Sequence, residues 1–154
     1  MTVLVKGPIS ATVKAGETVT MLWNTWPTGH FGPVLNYMAK CPTSDCSVWK
    51  GDTGSPWFKI QQETWSNGIW ASDVLAKNNA TYTVKIPKNI QSGSYVRPFS
   101  SMNATYSNAA FQLLRHENLA LHGGGSLGGA QFYPVCVQLT GTHALSLCKN
   151  SSLI

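Results

Sequence analysis

The chain has 154 residues, 11% of them charged, with 14 glycines, 8 prolines and a formal net charge of +5. That length bounds it to one domain with a core, and its basic residues stand singly, which excludes a nucleic-acid-binding run. No apolar stretch approaches the ~18 residues of a membrane helix, and the start at Met1 to Val5 is too short for the apolar part of an export signal.

Low charge with abundant Gly, Pro, Thr, Ser and Asn matches a secreted all-β domain rich in turns. The 4 cysteines and the Asn-x-Ser/Thr sequons at Asn79, Asn103 and Asn150 point the same way, to an oxidising and glycosylating route. These signals conflict with the lack of a leader. They are reconciled if Met1 is not the natural beginning of the protein.

In chain order, residues 2–14 read as two extended segments, and Ala15-Gly16-Glu17 as a turn before an alternating run from Thr18 to Trp23. Pro27, Gly29, Gly32 and Pro33 force a loop around His30, and the apolar run from Val34 to Met38 resumes the sheet. Cys41 and Cys46 flank a four-residue turn and are spaced for a local disulfide. Residues 68–77 are expected to hold a short helical turn near Asp73. From Thr81 to Ile86 the chain alternates, with Tyr82, Val84 and Ile86 on one face. Many short strands without a long helix predict an antiparallel β-sandwich of the immunoglobulin or fibronectin kind over residues 1–154.

The richest stretch is RHENLALHGGGSLGGAQFYPVC, from Arg115 to Cys136. Its glycines break any helix and admit left-handed backbone, which predicts that His122 and Gln131 face each other across a turn. Beyond the turn, alternation puts Gln131, Tyr133 and Val135 on one face and sends Phe132 the other way, into a core.

This stretch resembles the C-terminal signature of the fungal lytic polysaccharide monooxygenases, auxiliary activity family 9, formerly glycoside hydrolase family 61. GHFGPVLNYMAKC (Gly29 to Cys41), WFKI (Trp57 to Ile60) and NGIWASDVLAKNNATYTVKIPKNIQSGSY (Asn67 to Tyr95) follow in family order. The resemblance implies a β-sandwich that holds one copper ion, in which His30 supplies an imidazole ligand and Tyr133 a distant axial oxygen. His122 and Gln131 are then the pair that positions and protonates the bound oxidant. It implies oxidative cleavage of β-1,4-glucan such as cellulose at C1 or C4, with an external electron donor. Nitrogen donors with a weak axial oxygen suit Cu(II). The family's remaining ligand is an N-terminal histidine, whereas residue 1 here is Met1. The expectation is therefore a chain truncated at its N-terminus, and at its C-terminus as well, with an incomplete copper site and impaired activity. The expected state is a secreted monomer without membrane or nucleic-acid partners.

Two alternatives stand beside this reading. Glycan hydrolysis needs two carboxylates across a sugar, and the acids Glu17, Asp45, Asp52, Glu63, Asp73 and Glu117 fall in no such motif. A non-catalytic glycan-binding sandwich, or an inactive pseudogene product, is the other. In the resembling family the partner of Cys136 lies in an N-terminal segment, so here Cys136 is left single or pairs with Cys148. Residues 96–112 interrupt the family's strand between Tyr95 and Leu113, and the codons they imply permit intron signals. They read as an insertion, and possible translated intron is the explanation favoured.

Overall fold

The structure is a computed structural model that describes residues 2–4, 10–42, 46, 49–90 and 110–142. Three sheets account for its strands. The first has three strands: β1 (Thr2–Leu4), β3 (Thr18–Leu22) and β8 (Thr81–Lys85), in the order β1-β3-β8. The second has five: β2 (Ser10–Lys14), β4 (Val34–Lys40), β5 (Phe58–Glu63), β9 (Ala110–Ala120) and β10 (Gln131–Thr142), in the order β2-β10-β9-β4-β5. A small hairpin of β6 (Trp65–Ser66) and β7 (Ile69–Trp70) leads into α1 (Ala71–Lys77). Most neighbours are antiparallel, as alternation and short connections predict. The pairs β1 with β3 and β2 with β10 run parallel.

The core forms where the alternating faces of the two larger sheets meet. Val19 and Met21 of β3, with Val84 of β8, are at most 1% exposed, and so are Leu114 of β9 and Leu139 of β10 opposite them. Burying each such side chain contributes about 2 kcal/mol. Tyr82, Val84 and Ile86 are buried while Thr83 and Lys85 are exposed, so the predicted half-buried strand is present. Cys41 and Cys46 are joined by a disulfide, and Trp49 and Trp57 pack against them.

One expectation for the core is overturned. Phe132 is 61% exposed instead of buried. Strand β10 does alternate, but its inward residues are Tyr133, Val135, Val137 and Leu139. Phe132, Pro134 and Cys136 point to the outer side of the five-stranded sheet and are exposed there. Cys136 makes no disulfide, and Cys148 lies outside the described residues. Of the sequons, Asn79 is exposed in the turn after α1, at φ 52°; Asn103 and Asn150 also lie outside. Ala110 to Gln112 of the 96–112 stretch belong to β9, where Gln112 pairs with Leu139 and Lys40; the rest of it is outside the described residues. Among the described residues, no helix is long and apolar enough to cross a membrane.

Candidate metal centre

The loop from Trp23 to Pro33 is fastened to the end of β9. Phe31 O accepts from Leu121 N at 2.8 Å and Pro33 O from Leu119 N at 3.0 Å, which continues the sheet ladder past the strand's formal end. Between them, Gly32 N donates to Ser72 Oγ at 2.7 Å, and Ser72 N donates back to Gly32 O at 3.1 Å. Only glycine fits here, because a Cβ on Gly32 would stand 2.0 Å from Leu119 O. His30, inside this anchored loop, is thereby held beside the residues that follow β9.

The turn from Leu121 to Ala130 supplies the second histidine. Gly124 N donates to Leu121 O at 2.8 Å and Gly129 N to Ser126 O at 3.0 Å, closing successive tight turns. The backbones of Gly123 and Gly129 pass so closely that a Cβ on Gly129 would sit 1.8 Å from Gly123 O. The outcome is that the His122 ring lies 4.3 Å from that of His30, centroid to centroid, tilted by 45°. Strand β10 then delivers Tyr133, whose ring centroid is 6.3 Å from that of His30. The Tyr133 hydroxyl donates to Gln131 Oε1 at 2.6 Å, a bond that alternation allows because the two residues share a face.

All four residues singled out from the sequence therefore meet at one end of the sandwich. His122 and Gln131 are exposed, while His30 and Tyr133 are half-buried. The contacts differ in detail from the expected facing of His122 and Gln131: His122 lies against His30, and Gln131 is bonded to Tyr133. A fifth residue went unnoticed. Trp26 Nε1 donates to His30 O at 3.1 Å, and the Trp26 ring meets those of His30 and Tyr133 edge to face at 6.1 and 5.2 Å. At 7% exposure Trp26 forms the floor of the cluster. The available signal was its place four residues before His30 in a Pro- and Gly-bounded loop.

The donors offered are two imidazoles and a phenol. Among the described residues no three His, Cys, Asp or Glu side chains group closely enough to hold a metal by themselves. With its proton committed to Gln131, the Tyr133 oxygen keeps its lone pairs for a metal. Imidazole with weak oxygen suits copper better than a hard cation, which prefers carboxylate and carbonyl. The residues present thus fit part of a copper coordination shell.

Beside the cluster the surface is aromatic and grooved. Phe31 stacks with Trp70 at 6.4 Å, and Trp70 meets Trp65, itself 55% exposed, at 5.4 Å. A groove of about 650 Å³ runs past Trp26 and Thr28 to the Asn67-Gly68 turn, with Asp73 and Lys77 on its α1 side.

The sequence profile described as Auxiliary Activity family 9 (formerly GH61) matches residues 3–98 and 108–150. The AA9 family lytic polysaccharide monooxygenase B of Geotrichum candidum is 41% identical over 138 residues, which cover 88% of this chain and 33% of that protein. Monooxygenase F of Botryotinia fuckeliana (strain B05.10) is 36% identical, over 90% of this chain and 49% of that protein. Among solved structures, the extended catalytic domain of H. jecorina LPMO9A superposes with a TM-score of 0.70 at 36% identity, covering 90% of this chain and 50% of that one. The chain thus spans about a third to a half of the curated relatives it matches. On this match of sequence and fold, the chain belongs to auxiliary activity family 9, the lytic polysaccharide monooxygenases.

Proposed function

We propose that this chain carries part of a copper centre for the oxidative cleavage of β-1,4-glucan, with scission at C1 or C4. The observation that carries the reading is the convergence of His30, His122, Gln131 and Tyr133 at one end of the sandwich. Copper, when bound, would supply one-electron chemistry toward an oxygen co-substrate, with electrons from an external donor. His30 would supply an imidazole ligand and Tyr133 a weakly held phenol oxygen. The phenol's bond to Gln131 fixes its orientation, and the backbone bond from Trp26 to His30 O fixes the loop. The imidazole of His122, whose ring lies 4.3 Å from that of His30, would hold or release a proton at this end of the sandwich. The exposed Trp65 and its neighbours offer rings on which sugar faces can stack. Secretion and action as a monomer are part of the same proposal.

Hydrolysis has less to stand on. Glu117 lies with Arg115, 3.7 Å away, on the outer side of the sheet, and the backbone N–H of Lys14 donates to Glu17 at 3.0 Å, in the turn after β2.

His30 is the one imidazole assigned here to copper, and a single imidazole with a weak oxygen binds the ion poorly, so we expect the polypeptide of 154 residues to bind copper weakly and to release little oxidised product. The same chain extended by a histidine-headed segment of the family should release oxidised cello-oligosaccharides from cellulose when given copper and a reductant. No oxidised product from the extended chain on any β-glucan contradicts the reading and favours the glycan-binding alternative.

We also propose that residues 96–112 contain an insertion the site does not need, translated intron being the origin we favour. The family profile passes over residues 99–107, which is consistent with foreign sequence there.

A further inference from the structure

The turn that joins α1 to β8 carries the sequon Asn79-Ala80-Thr81, and the metal centre makes no use of it. Two asparagines stand there side by side, with different tasks. Asn78 closes the helix: its backbone N–H donates to Val74 O at 2.9 Å, and its Nδ2 donates to Thr81 O at 3.0 Å. Asn79 is exposed, and its side-chain amide has no hydrogen-bond partner among the described residues.

The backbone that presents this amide is fixed. Trp23 N donates to Ala80 O at 2.9 Å and Thr81 N to Asn78 O at 3.0 Å, while the Ala80 side chain is buried. Asn79 and Ala80 both hold left-handed φ, 52° and 55°. Asparagine tolerates that region better than most residues, so the turn by itself explains an asparagine at position 79. It does not explain the hydroxyl two residues on. Any β-branched residue suits the start of β8, and Thr81 Oγ1 reaches only Asn79 O, at 3.3 Å, within its own turn.

A buried or bonded amide would bar a glycan from the folded chain, and the Asn79 amide is neither. Its place also suits the metal centre. Ser72, at the start of α1, is bonded to Gly32 beside His30. From there α1 carries the chain about 10 Å onward before Asn79 is reached, so a glycan grows from the end of the helix opposite to the one that holds the His30 loop.

We propose that Asn79 is a site of N-glycosylation. The Asn79 Nδ2 forms a bond to the anomeric carbon of an N-acetylglucosamine, and the bond from that carbon to the diphosphate of a lipid-linked oligosaccharide breaks. The lipid diphosphate leaves, and the proton lost by the amide balances its charge. The inference rests on the proposed secretion, because that donor belongs to the secretory route.

The full chain is tested in a yeast host behind a supplied, cleavable export signal, with a short added tail whose own sequon reports entry into the glycosylating compartment. Glycans are then removed enzymatically in ¹⁸O-water, which leaves a labelled aspartate wherever an asparagine carried one. Among molecules labelled in the tail, peptide mass mapping should find the label at position 79 in the majority. Asn79→Gly keeps the left-handed turn and Thr81→Val keeps the strand, and each should lose the glycan at position 79 while the tail keeps its own. Unlabelled Asn79 in molecules whose tail is labelled would overturn the proposal, as would a glycan at Asn79 that survives Thr81→Val. Because the signal is supplied, a natural chain that is never exported would defeat the secretion reading without altering this result.

Discussion

Burial on the inner face of β9 lowers the pKa of His116 to about 4, since desolvation penalises the imidazolium. In the unfolded chain an imidazole titrates near 6.5. Between these values the unfolded state binds the extra proton, so stability rises with pH across the window and is lost as pH falls from about 6.5 to about 4. The shift corresponds to roughly 3 kcal/mol. Urea unfolding of the chain at a series of pH values should show this loss, and His116→Leu should flatten the profile above pH 4.5. An unchanged slope in the variant contradicts the assignment. In sequence, His116 was only one letter of the R-H-E pattern. Its neutrality depends on which face of β9 is covered, and that is decided by a partner sheet far away in the chain. His30 and Tyr133 were legible because their neighbours, Gly29-His30-Phe31-Gly32-Pro33 and Gln131-Phe132-Tyr133-Pro134, form compact motifs. Trp26 was missed because its role rests on a bond to His30 O across a bend that no spacing rule announces.

At the scale of elements, two close backbone approaches decide where the histidines point. Gly32 abuts Leu119 O, and Gly123 abuts Gly129. Gly32→Ala should cost several kcal/mol, because the added carbon meets a backbone oxygen that is itself held in the β9 ladder, and it should separate the His30 and His122 rings. Gly125→Ala is the control, since a Cβ there has nothing within 4 Å, and it should change stability by less than about 0.5 kcal/mol. Thermal melts of both variants check the pair; equal melting temperatures contradict the packing argument. Phe132 carries the converse lesson. Alternation says which residues of β10 share a face, but not which face is covered, and Phe132 fell on the open one. The parallel pairing of β2 with β10 was equally hidden, because it joins segments more than a hundred residues apart in sequence.

For the whole molecule, the sandwich class followed from many short alternating strands and turn residues, and the sheet order brings β4, β9 and β10 side by side so that their loops share one end. Residues 99–107 are passed over by the family profile, and Gln112 is already a buried part of β9. Deleting 99–107 should therefore leave the melting temperature unchanged or raise it, whereas a fall would show that the segment packs onto the domain. Transcripts that lack the codons for residues 96–112 would identify that stretch as intron.

The central claim, that His30 holds copper at the end of this sandwich, is tested most directly by copper titration and electron paramagnetic resonance of the Cu(II)-loaded chain extended by the histidine-headed segment, with His30→Ala and Tyr133→Phe beside it. Tight binding with nitrogen hyperfine structure is expected, and His30→Ala should abolish the tight binding and change the hyperfine pattern. Tyr133→Phe should keep most of the affinity with an altered spectrum, as expected of a weakly held oxygen donor. A spectrum and copper affinity unchanged by His30→Ala would contradict it.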